Sequence, residues 1–334
     1  MTTYKIACLD VWDEPVKDQT RDVAPDNFEL IFAESYDEDH QIEVTKQCDF
    51  IMCGTAPVPR RMLDESPNIQ FVQKWGIGFD KVDLKAVEDH GLGLCNTAGA
   101  NKTVVAEHTI LLILAVYRHL LEIDERLRKG EWLDIKIMLR NNALQLRGKT
   151  VGIFGFGNIG RAVAQRLTGF ETKVIYHDLA KADAETEKKL NATFVSLDQL
   201  LTESDILTIH TPLDDSTQDV INASAINKMK KTAIIINCAR GGILNEQDLY
   251  DAVTSGRIRG AGIDVWEPEP TAPENPLLTL DKVVVTPHAA GSAFDNVGHV
   301  SAHCFRNIEL FLQGEPLPEA DVIIPVKPNS VAAE

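Results

Sequence analysis

Short apolar runs alternate with amphipathic stretches over the first hundred residues of the chain. The segments predicted as strands are Ile6–Leu9, Asp49–Cys53, Phe71–Gln73 and Gly93–Cys95. Those predicted as helices are Pro59–Asp64 and Val82–His90. Alternating strands and helices are typical of a parallel sheet, because each crossover between parallel strands needs a long connection. The N-terminal part of the chain therefore predicts an α/β sheet.

A second alternation of the same kind begins after Gly148. Its predicted strands are Thr150–Phe154, Lys173–His177, Ile206–His210, Ala233–Asn237, Gly260–Asp264 and Val283–Thr286. Helical patterns lie between most of them, which predicts a doubly wound parallel sheet with right-handed crossovers. A last helical stretch runs from about Asn296 to Leu312.

One long helical pattern, from Thr103 to about Arg128, connects the two alternating regions. Its apolar positions crowd so densely around Ile110–Leu114 that a single buried stripe cannot hold them all. Such a helix is either deeply buried or packed against a partner, and the pattern does not separate these alternatives. The most apolar run, Thr109–Val116, is far shorter than the roughly 20 residues of a membrane span.

Composition narrows the class of protein. With 334 residues, 44% of them hydrophobic, the chain is expected to form two globular domains. A formal net charge of −17 argues against binding to nucleic acid or to an anionic membrane, since both need a basic surface. The six cysteines are scattered without a C-x-x-C pair, which favours reduced thiols over disulfides or a metal site. No basic segment followed by an apolar run opens the chain, so a cytoplasmic location is expected.

A glycine-rich turn follows the first strand of the second region. Residues 155–160 read G-F-G-N-I-G, which matches G-x-G-x-x-G between a predicted strand and a predicted helix. Gly155 permits the tight turn, Gly157 lets the backbone approach a pyrophosphate, and Gly160 allows close packing of the helix. Free N–H groups at the start of that helix favour phosphate. This context predicts a dinucleotide-binding site.

The next strand ends at Asp178, 18 residues beyond Gly160 and close to the roughly 20 expected for a ribose-binding acid. A carboxylate here can accept hydrogen bonds from the ribose hydroxyls and repels a 2′-phosphate. Leu179 and Ala180 follow, so no arginine is available to receive that phosphate. The sequence therefore predicts NAD rather than NADP.

Three polar side chains follow three successive strands of the same predicted sheet: Arg240, Glu269 and His288. Ligands of open α/β sheets bind outside the carboxyl ends of the strands, so these groups are expected to converge. Histidine suits proton donation to a developing alkoxide, and a neighbouring carboxylate favours the charged imidazolium. A guanidinium can hold a substrate carboxylate and polarise a carbonyl. Each residue alone has a structural explanation; together they favour catalysis.

At this point the sequence resembles the D-isomer-specific 2-hydroxyacid dehydrogenase family over nearly its whole length. The matching stretches are residues 76–80 (GIGFD), 96–101 (NTAGAN), 151–160, 210–212 (HTP), 237–242 (NCARGG), 262–265 (GIDV) and 287–291 (PHAAG). The resemblance implies an NAD-dependent enzyme that transfers a hydride between NAD(H) and a small D-2-hydroxy or 2-keto acid. It also implies that Arg240, Glu269 and His288 form the catalytic triad.

The resemblance assigns further residues and an architecture. Ile77 and Gly78 fall on the loop whose N–H groups hold the substrate carboxylate, and Arg240 and His288 also contact substrate and cofactor. The residues on or beside cofactor contacts are Gly155, Gly157, Asn158, Ile159, Gly160, Asp178, Thr211, Cys238, Asp264 and Gly291. The expected fold is α/β with two doubly wound parallel-sheet domains. A Rossmann NAD-binding domain (102–291) is inserted in a discontinuous flavodoxin-like substrate domain (1–101 and 292–334), and the long helix implies a homodimer.

Several alternatives stay open. Lys81 stands where relatives usually carry Asn, and Ala98 replaces a common Pro, which leaves the substrate side unspecified. Lys74 could attract a second anionic group or could simply be solvated. The substrate could be glyoxylate or hydroxypyruvate, 3-phosphoglycerate, or a longer 2-keto acid; formate dehydrogenases usually carry Gln where Glu269 stands. The alternative function is an NAD-responsive, corepressor-like binding module on the same fold.

Overall fold

A computed structural model describes residues 2–326 of the chain. The chain divides into two compact units. Unit 1 comprises Met1–Asn101 together with Ala293–Glu334, and unit 2 comprises Lys102–Ser292. Residues 327–334 of the predicted substrate domain lie outside the described residues.

Unit 1 begins with five strands and four helices. The strands are β1 (Tyr4–Cys8), β2 (Phe28–Phe32), β3 (Phe50–Cys53), β4 (Phe71–Lys74) and β5 (Gly93–Cys95). The helices are α1 (Glu14–Asp22), α2 (Glu38–Thr45), α3 (Arg60–Glu65) and α4 (Leu84–Asp89). Aspartates cap two of them: Asp37 accepts a hydrogen bond from His40 N–H, and Asp83 accepts one from Ala86 N–H.

Unit 2 begins with three helices and continues as alternating strands and helices. The helices are α5 (Lys102–Arg118), α6 (Leu120–Arg128), α7 (Leu133–Asn142), α8 (Asn158–Leu167), α9 (Ala184–Leu190), α10 (Leu197–Glu203), α11 (Ala223–Ile226) and α12 (Glu246–Thr254). The strands are β6 (Thr150–Phe154), β7 (Lys173–His177), β8 (Ala192–Phe194), β9 (Ile206–Ile209), β10 (Ile234–Asn237), β11 (Gly260–Ile263) and β12 (Val283–Val285). They pair in parallel in the order β12-β11-β10-β9-β6-β7-β8. This is the predicted Rossmann arrangement, and its strand order reverses between β6 and β9.

The chain then returns to unit 1 through α13 (Val297–Gln313) and β13 (Val322–Ile324). The sheet of unit 1 has the order β13-β5-β4-β3-β1-β2; β1 to β5 are parallel and β13 is antiparallel to β5. Strands β1 to β5 follow the flavodoxin-like order, and the strand order reverses between β1 and β3. The predicted fold class is confirmed.

The prediction of one helix from Thr103 to Arg128 is wrong. His119 adopts a left-handed backbone conformation (φ 53°) and separates α5 from α6, which are bent by 60°. A non-glycine residue in this region interrupts the α-helical hydrogen-bond ladder. No single helix among the described residues is long and apolar enough to span a membrane. Helices α5 and α6 reach that length and apolar character only when they are taken together as this bent pair.

The two sides of the bend differ in burial. Helix α5 packs against α8 and strands β10 to β12, with nine buried residues. Helix α6 has no buried residue and α7 buries only Ile135. The exposed large apolar side chains of this region are Leu111, Leu120, Leu121, Leu127, Trp132, Leu133 and Ile137. Deep burial therefore explains the apolar density of α5 but not the apolar residues of α6 and α7.

Candidate active site

The glycine-rich turn between β6 and α8 lies where the strand order of unit 2 reverses. Gly155 has φ +93°, and a Cβ there would lie 2.5 Å from the backbone of His210. A Cβ at Gly160 would lie 2.2 Å from Gly155 O. At Gly157, by contrast, a Cβ would have no described protein atom within 4 Å. The first and third glycines are thus required by packing, and the second opens onto free space.

The groups around this turn fit a dinucleotide. Helix α8 begins at Asn158, and its N-cap residue, Gly157, offers no side-chain cap, so the first N–H groups of the helix can bind phosphate. Asp178, after β7, accepts hydrogen bonds from Phe156 N–H (2.6 Å) and Leu179 N–H (2.7 Å), which fixes its carboxylate beside the turn. His210 Nδ1 is buried without a partner within the described chain, and burial lowers the pKa of this histidine to about 3.

The predicted site residues of unit 2 share one edge of its sheet. Listed by the strand that each follows, they are Gly155 to Gly160 (β6), Asp178 (β7), Thr211 (β9), Cys238 and Arg240 (β10), Asp264 and Glu269 (β11), and His288 and Gly291 (β12). All of them therefore lie beyond the carboxyl ends of the strands, where open α/β sheets bind ligands. Among the described residues no cluster of three or more His, Cys, Asp or Glu side chains could hold a metal ion.

The structure brings His288 and Glu269 into direct contact. His288 Nδ1 lies 2.8 and 3.0 Å from the two carboxylate oxygens of Glu269, and one of these oxygens also accepts Trp266 N–H at 3.1 Å. Burial raises the pKa of Glu269, but the hydrogen bond and charge of His288, Trp266 N–H and the charge of Arg240 together lower it below its ordinary value. Glu269 is therefore ionised at neutral pH, and Nδ1 of His288 donates to it.

The loop that carries His288 is fixed by a fully buried carboxylate. His288 has φ +53°, in the left-handed region, and its N–H donates to Asp264 O at 2.6 Å. The Asp264 carboxylate accepts Ala289 N–H (2.8 Å), Ala290 N–H (2.9 Å) and the Thr286 hydroxyl (2.5 Å). These bonds determine the direction of the imidazole.

Arg240 follows β10 and is held by the same kind of local bonding. Asn237 donates to Arg240 O (2.8 Å) and accepts Ala239 N–H (3.1 Å), and Arg240 donates to Ala239 O (2.7 Å). The guanidinium is close enough to contribute to the lowered pKa of Glu269. Unit 2 thus holds a cation, a carboxylate and an imidazole on three successive loops. Cys238, in contrast, is buried, and burial raises the pKa of its thiol to about 12.

In unit 1 the predicted carboxylate loop follows β4. The turn is held by Gly76 N–H, which donates to Thr97 Oγ1 (3.0 Å), and by Asn96, which donates to Ile77 O (3.1 Å). Within the part of the chain that the structure describes, the N–H groups of Ile77 and Gly78 donate no hydrogen bond. Two adjacent free N–H groups are suited to bind a carboxylate.

Sequence reasoning missed most of the residues that support these loops. His108 on α5 lies 3.1 Å from Thr286 Oγ1 and 3.5 Å from Asp264 Oδ1, behind the His288 loop. Asp10, after β1, is 3% exposed and accepts hydrogen bonds from the loop after β3. The only sequence signal for Asp10 was its position at the end of a predicted strand, and His108 gave none beyond lying in an apolar helix.

Fold and site together define a dinucleotide-binding oxidoreductase, and comparisons identify its family. Residues 110–290 match the family model described as D-isomer specific 2-hydroxyacid dehydrogenase, NAD binding domain. The chain belongs to this family, so it is an NAD-dependent D-2-hydroxyacid dehydrogenase. The predicted family, cofactor and enzyme class are confirmed.

Individual relatives agree. The chain is 34% identical over 278 residues to a glyoxylate reductase of Korarchaeum cryptofilum, covering 83% of each chain. It is 37% identical to a hydroxypyruvate reductase of Thermotoga maritima, covering 78% of this chain and 84% of the relative. The holo structure of Rhodotorula graminis D-mandelate dehydrogenase superposes with a TM-score of 0.84 at 29% identity, covering 97% of this chain and 100% of the other. They give no support to the corepressor-like alternative.

Proposed function

We propose that Arg240, Glu269 and His288 carry out the reduction of a short 2-keto acid to a D-2-hydroxy acid, and its reversal. The observation that carries the proposal is the contact of His288 Nδ1 with the ionised Glu269, on a loop clamped by Asp264. Bound NADH supplies the hydride that adds to the carbonyl carbon. The protein supplies the proton, the charge that polarises the carbonyl, and the position of the acid.

His288 is the proton donor. Because its Nδ1–H points to Glu269, the other ring nitrogen, Nε2, is left to face a substrate oxygen. Glu269 accepts the Nδ1 proton, so the ring is held with Nε2 available to deliver the second proton of the imidazolium to the substrate oxygen. In the reverse direction the neutral imidazole accepts the proton of the hydroxyl group at Nε2.

Arg240 and the loop after β4 hold the acid group. The planar guanidinium of Arg240 can bind a carboxylate and polarise the adjacent carbonyl oxygen. In unit 1 the N–H groups of Ile77 and Gly78, which donate no hydrogen bond within the described residues, are proposed as carboxylate donors as well. These roles support a 2-keto acid, in which carboxylate and carbonyl are adjacent.

The cofactor contacts are proposed for the residues at the carboxyl edge of the unit 2 sheet. Gly157, Asn158 and Ile159 present the N–H groups that bind the pyrophosphate, with Gly155 and Gly160 shaping the turn, and Asp178 accepts the ribose hydroxyls. Thr211, Cys238, Asp264 and Gly291 line the same edge. Asp264 acts there chiefly as a positioning residue for His288, because its carboxylate bonds to the His288 loop.

The test is NADH oxidation, measured by absorbance, with a panel of 2-keto acids. The names of the relatives put glyoxylate and hydroxypyruvate on this panel, beside 3-phosphohydroxypyruvate and longer 2-keto acids. We expect turnover of at least one acid and formation of the D product, determined by chiral chromatography. Tight NADH binding without turnover of any of them would contradict the proposal.

We also propose that the protein is a homodimer and is located in the cytoplasm. The exposed apolar side chains of α6, α7 and the residue before α7, Trp132 and Leu133 above all (66% and 67% exposed), support the first proposal. Replacing both with Glu is expected to give a monomer by light scattering while α5 stays buried; an unchanged mass would contradict it. Six buried, free cysteines support a reducing compartment.

A further inference from the structure

Lys74 is a buried lysine with an incomplete set of partners. It is the last residue of β4 and only 2% exposed, and its Nζ donates one hydrogen bond, to the carbonyl of Gly54 after β3. Among the described residues it forms no ion pair with a carboxylate. An ammonium group has three donors and is costly to bury without an anion, so this site lacks a negatively charged partner.

The nearby acid, Asp10, does not fill this role. Its two oxygens accept hydrogen bonds from Gly54 N–H, Thr55 N–H (2.6 Å), the Thr55 hydroxyl (2.7 Å) and Ala56 N–H (3.1 Å). The loop after β3 thus directs its N–H groups to Asp10 and the carbonyl of Gly54 to Lys74. The two charges are bound to the same loop and not to each other.

The position of Lys74 is that of a ligand site. In unit 1 the strand order reverses between β1 and β3, and open α/β sheets bind ligands beyond the carboxyl ends of the strands at such a point. Lys74 precedes Ile77 by three residues, and among the described residues the N–H of Ile77 donates no hydrogen bond. The Nζ of Lys74 extends to the end of the neighbouring strand β3. The ammonium is therefore next to the carboxylate loop, on its β3 side.

We propose that Lys74 binds a second anionic group of the substrate, so that the protein prefers 2-keto and 2-hydroxy acids whose far end carries a carboxylate or a phosphate. The inference rests on the proposed function, in which Ile77 and Gly78 hold the 2-carboxylate. A lysine acts as a point charge and accepts either anion, and its burial limits screening by solvent and salt.

The first measurement compares matched substrates that differ in the second anion. The pairs are oxaloacetate with 2-oxobutanoate, 2-oxoglutarate with 2-oxopentanoate, and 3-phosphohydroxypyruvate with hydroxypyruvate. We expect kcat/KM to be about 10- to 100-fold higher for the dianionic member of at least one pair, the size of a charge-assisted hydrogen bond. The first two pairs report a carboxylate, and the third reports a phosphate.

The second measurement removes the charge. Lys74→Met should abolish that preference through KM, with kcat for the monoanionic acids within about 3-fold of wild type. Lys74→Arg should retain part of the preference, and Lys85→Met, which removes an exposed charge on α4, should retain all of it. NADH binding and thermal melting verify that each variant is folded; if Lys74→Met does not fold, the wild-type pairs and Lys74→Arg decide.

The outcomes separate two failures. Equal turnover of both members of every pair by the wild type, or an equal loss on both members in folded Lys74→Met, would mean that Lys74 has only a structural role. Absence of turnover with all six acids, despite NADH binding, would overturn the proposed reaction and this inference with it.

Discussion

Asp264 in unit 2 and Asp10 in unit 1 are buried aspartates that each fix the loop after a neighbouring strand, and the two loops differ in what they present. Asp264 follows β11 and bonds the loop after β12; Asp10 follows β1 and bonds the loop after β3. Each carboxylate accepts backbone N–H groups and one threonine hydroxyl. The loop held by Asp264 carries the strained His288, whereas the loop held by Asp10 directs a carbonyl to Lys74.

The difference shows that a buried carboxylate bonded to loop N–H groups can position either a catalytic side chain or a charge that recognises substrate. A buried carboxylate whose oxygens are all engaged holds a loop rigidly, because losing one partner leaves a buried charge under-bonded. Behind His288 this rigidity fixes the direction in which a proton is delivered. Beside Lys74 it fixes the location of a positive charge.

Replacing His288 with Gln should have the largest effect. The amide cannot deliver a proton, so kcat for keto acid reduction is expected to fall by about 100- to 10,000-fold. The Kd of NADH, measured by fluorescence, should stay nearly unchanged, because the group acts on the substrate oxygen. His299→Gln, an exposed histidine on α13, is the matched control. Unchanged turnover in His288→Gln would remove His288 from the mechanism.

Much of this arrangement could be predicted from sequence, and the missing parts have physical reasons. Buried strands such as β6 and β10 are continuous apolar runs, which made both sheets recognisable. The strand β2 (FELIF) was missed although four of its five residues are apolar, because an apolar run this short does not separate a strand from part of a helix. The break at His119 depends on one backbone conformation, for which a histidine in a helical pattern gives no signal.

In the site, too, the residues that follow strands could be predicted, whereas the contacts made by the backbone could not. Arg240, Glu269 and His288 could be located because each follows a strand, and strand ends of a parallel sheet meet at one edge. The hydrogen bonds by which Asp10 and Asp264 hold their loops could not be located from the sequence, since the partners are mainly backbone N–H groups, which every sequence contains. The burial of Lys74 depends on how the loop after β3 folds over it and is likewise absent from the sequence pattern.

The paired variants Asp264→Asn and Asp10→Asn test the division between the units. Both should lose about 2–4 kcal/mol of unfolding free energy, because an amide turns a donor toward N–H groups that need an acceptor. We expect Asp264→Asn to lower kcat by about 10- to 100-fold through misplacement of His288. Asp10→Asn should instead raise KM for the substrate. Urea unfolding and steady-state kinetics measure these changes, with the exposed Asp281→Asn as control. An equal kcat loss in both would contradict the division.

Glu269→Gln tests the charge that the loop after β11 presents to His288. The pKa of Glu269 is lowered, so the wild-type carboxylate is charged at neutral and alkaline pH and accepts the Nδ1 proton of His288. Without this charge the Nδ1–H of His288 loses its charged acceptor, and kcat/KM for keto acid reduction should fall across the neutral and alkaline range. The drop at pH 8 is expected to be about 10-fold. Glu267→Gln, exposed on the same loop, should leave kcat/KM unchanged.

The threonine hydroxyls give the smallest and most closely matched pair. Thr286→Val removes a hydrogen bond to Asp264 and also a partner of His108, and Thr55→Val removes a hydrogen bond to Asp10 and also a partner of Tyr36. Each should cost about 1–2 kcal/mol of unfolding free energy. If the loop held by Asp264 serves catalysis, Thr286→Val lowers kcat several-fold with KM unchanged. If the loop held by Asp10 serves recognition, Thr55→Val raises KM most for the dianionic acid of each pair, because the carbonyl of Gly54, the residue before Thr55, positions Lys74. A kcat effect of Thr55→Val equal to that of Thr286→Val would show that both sets of hydrogen bonds serve only stability.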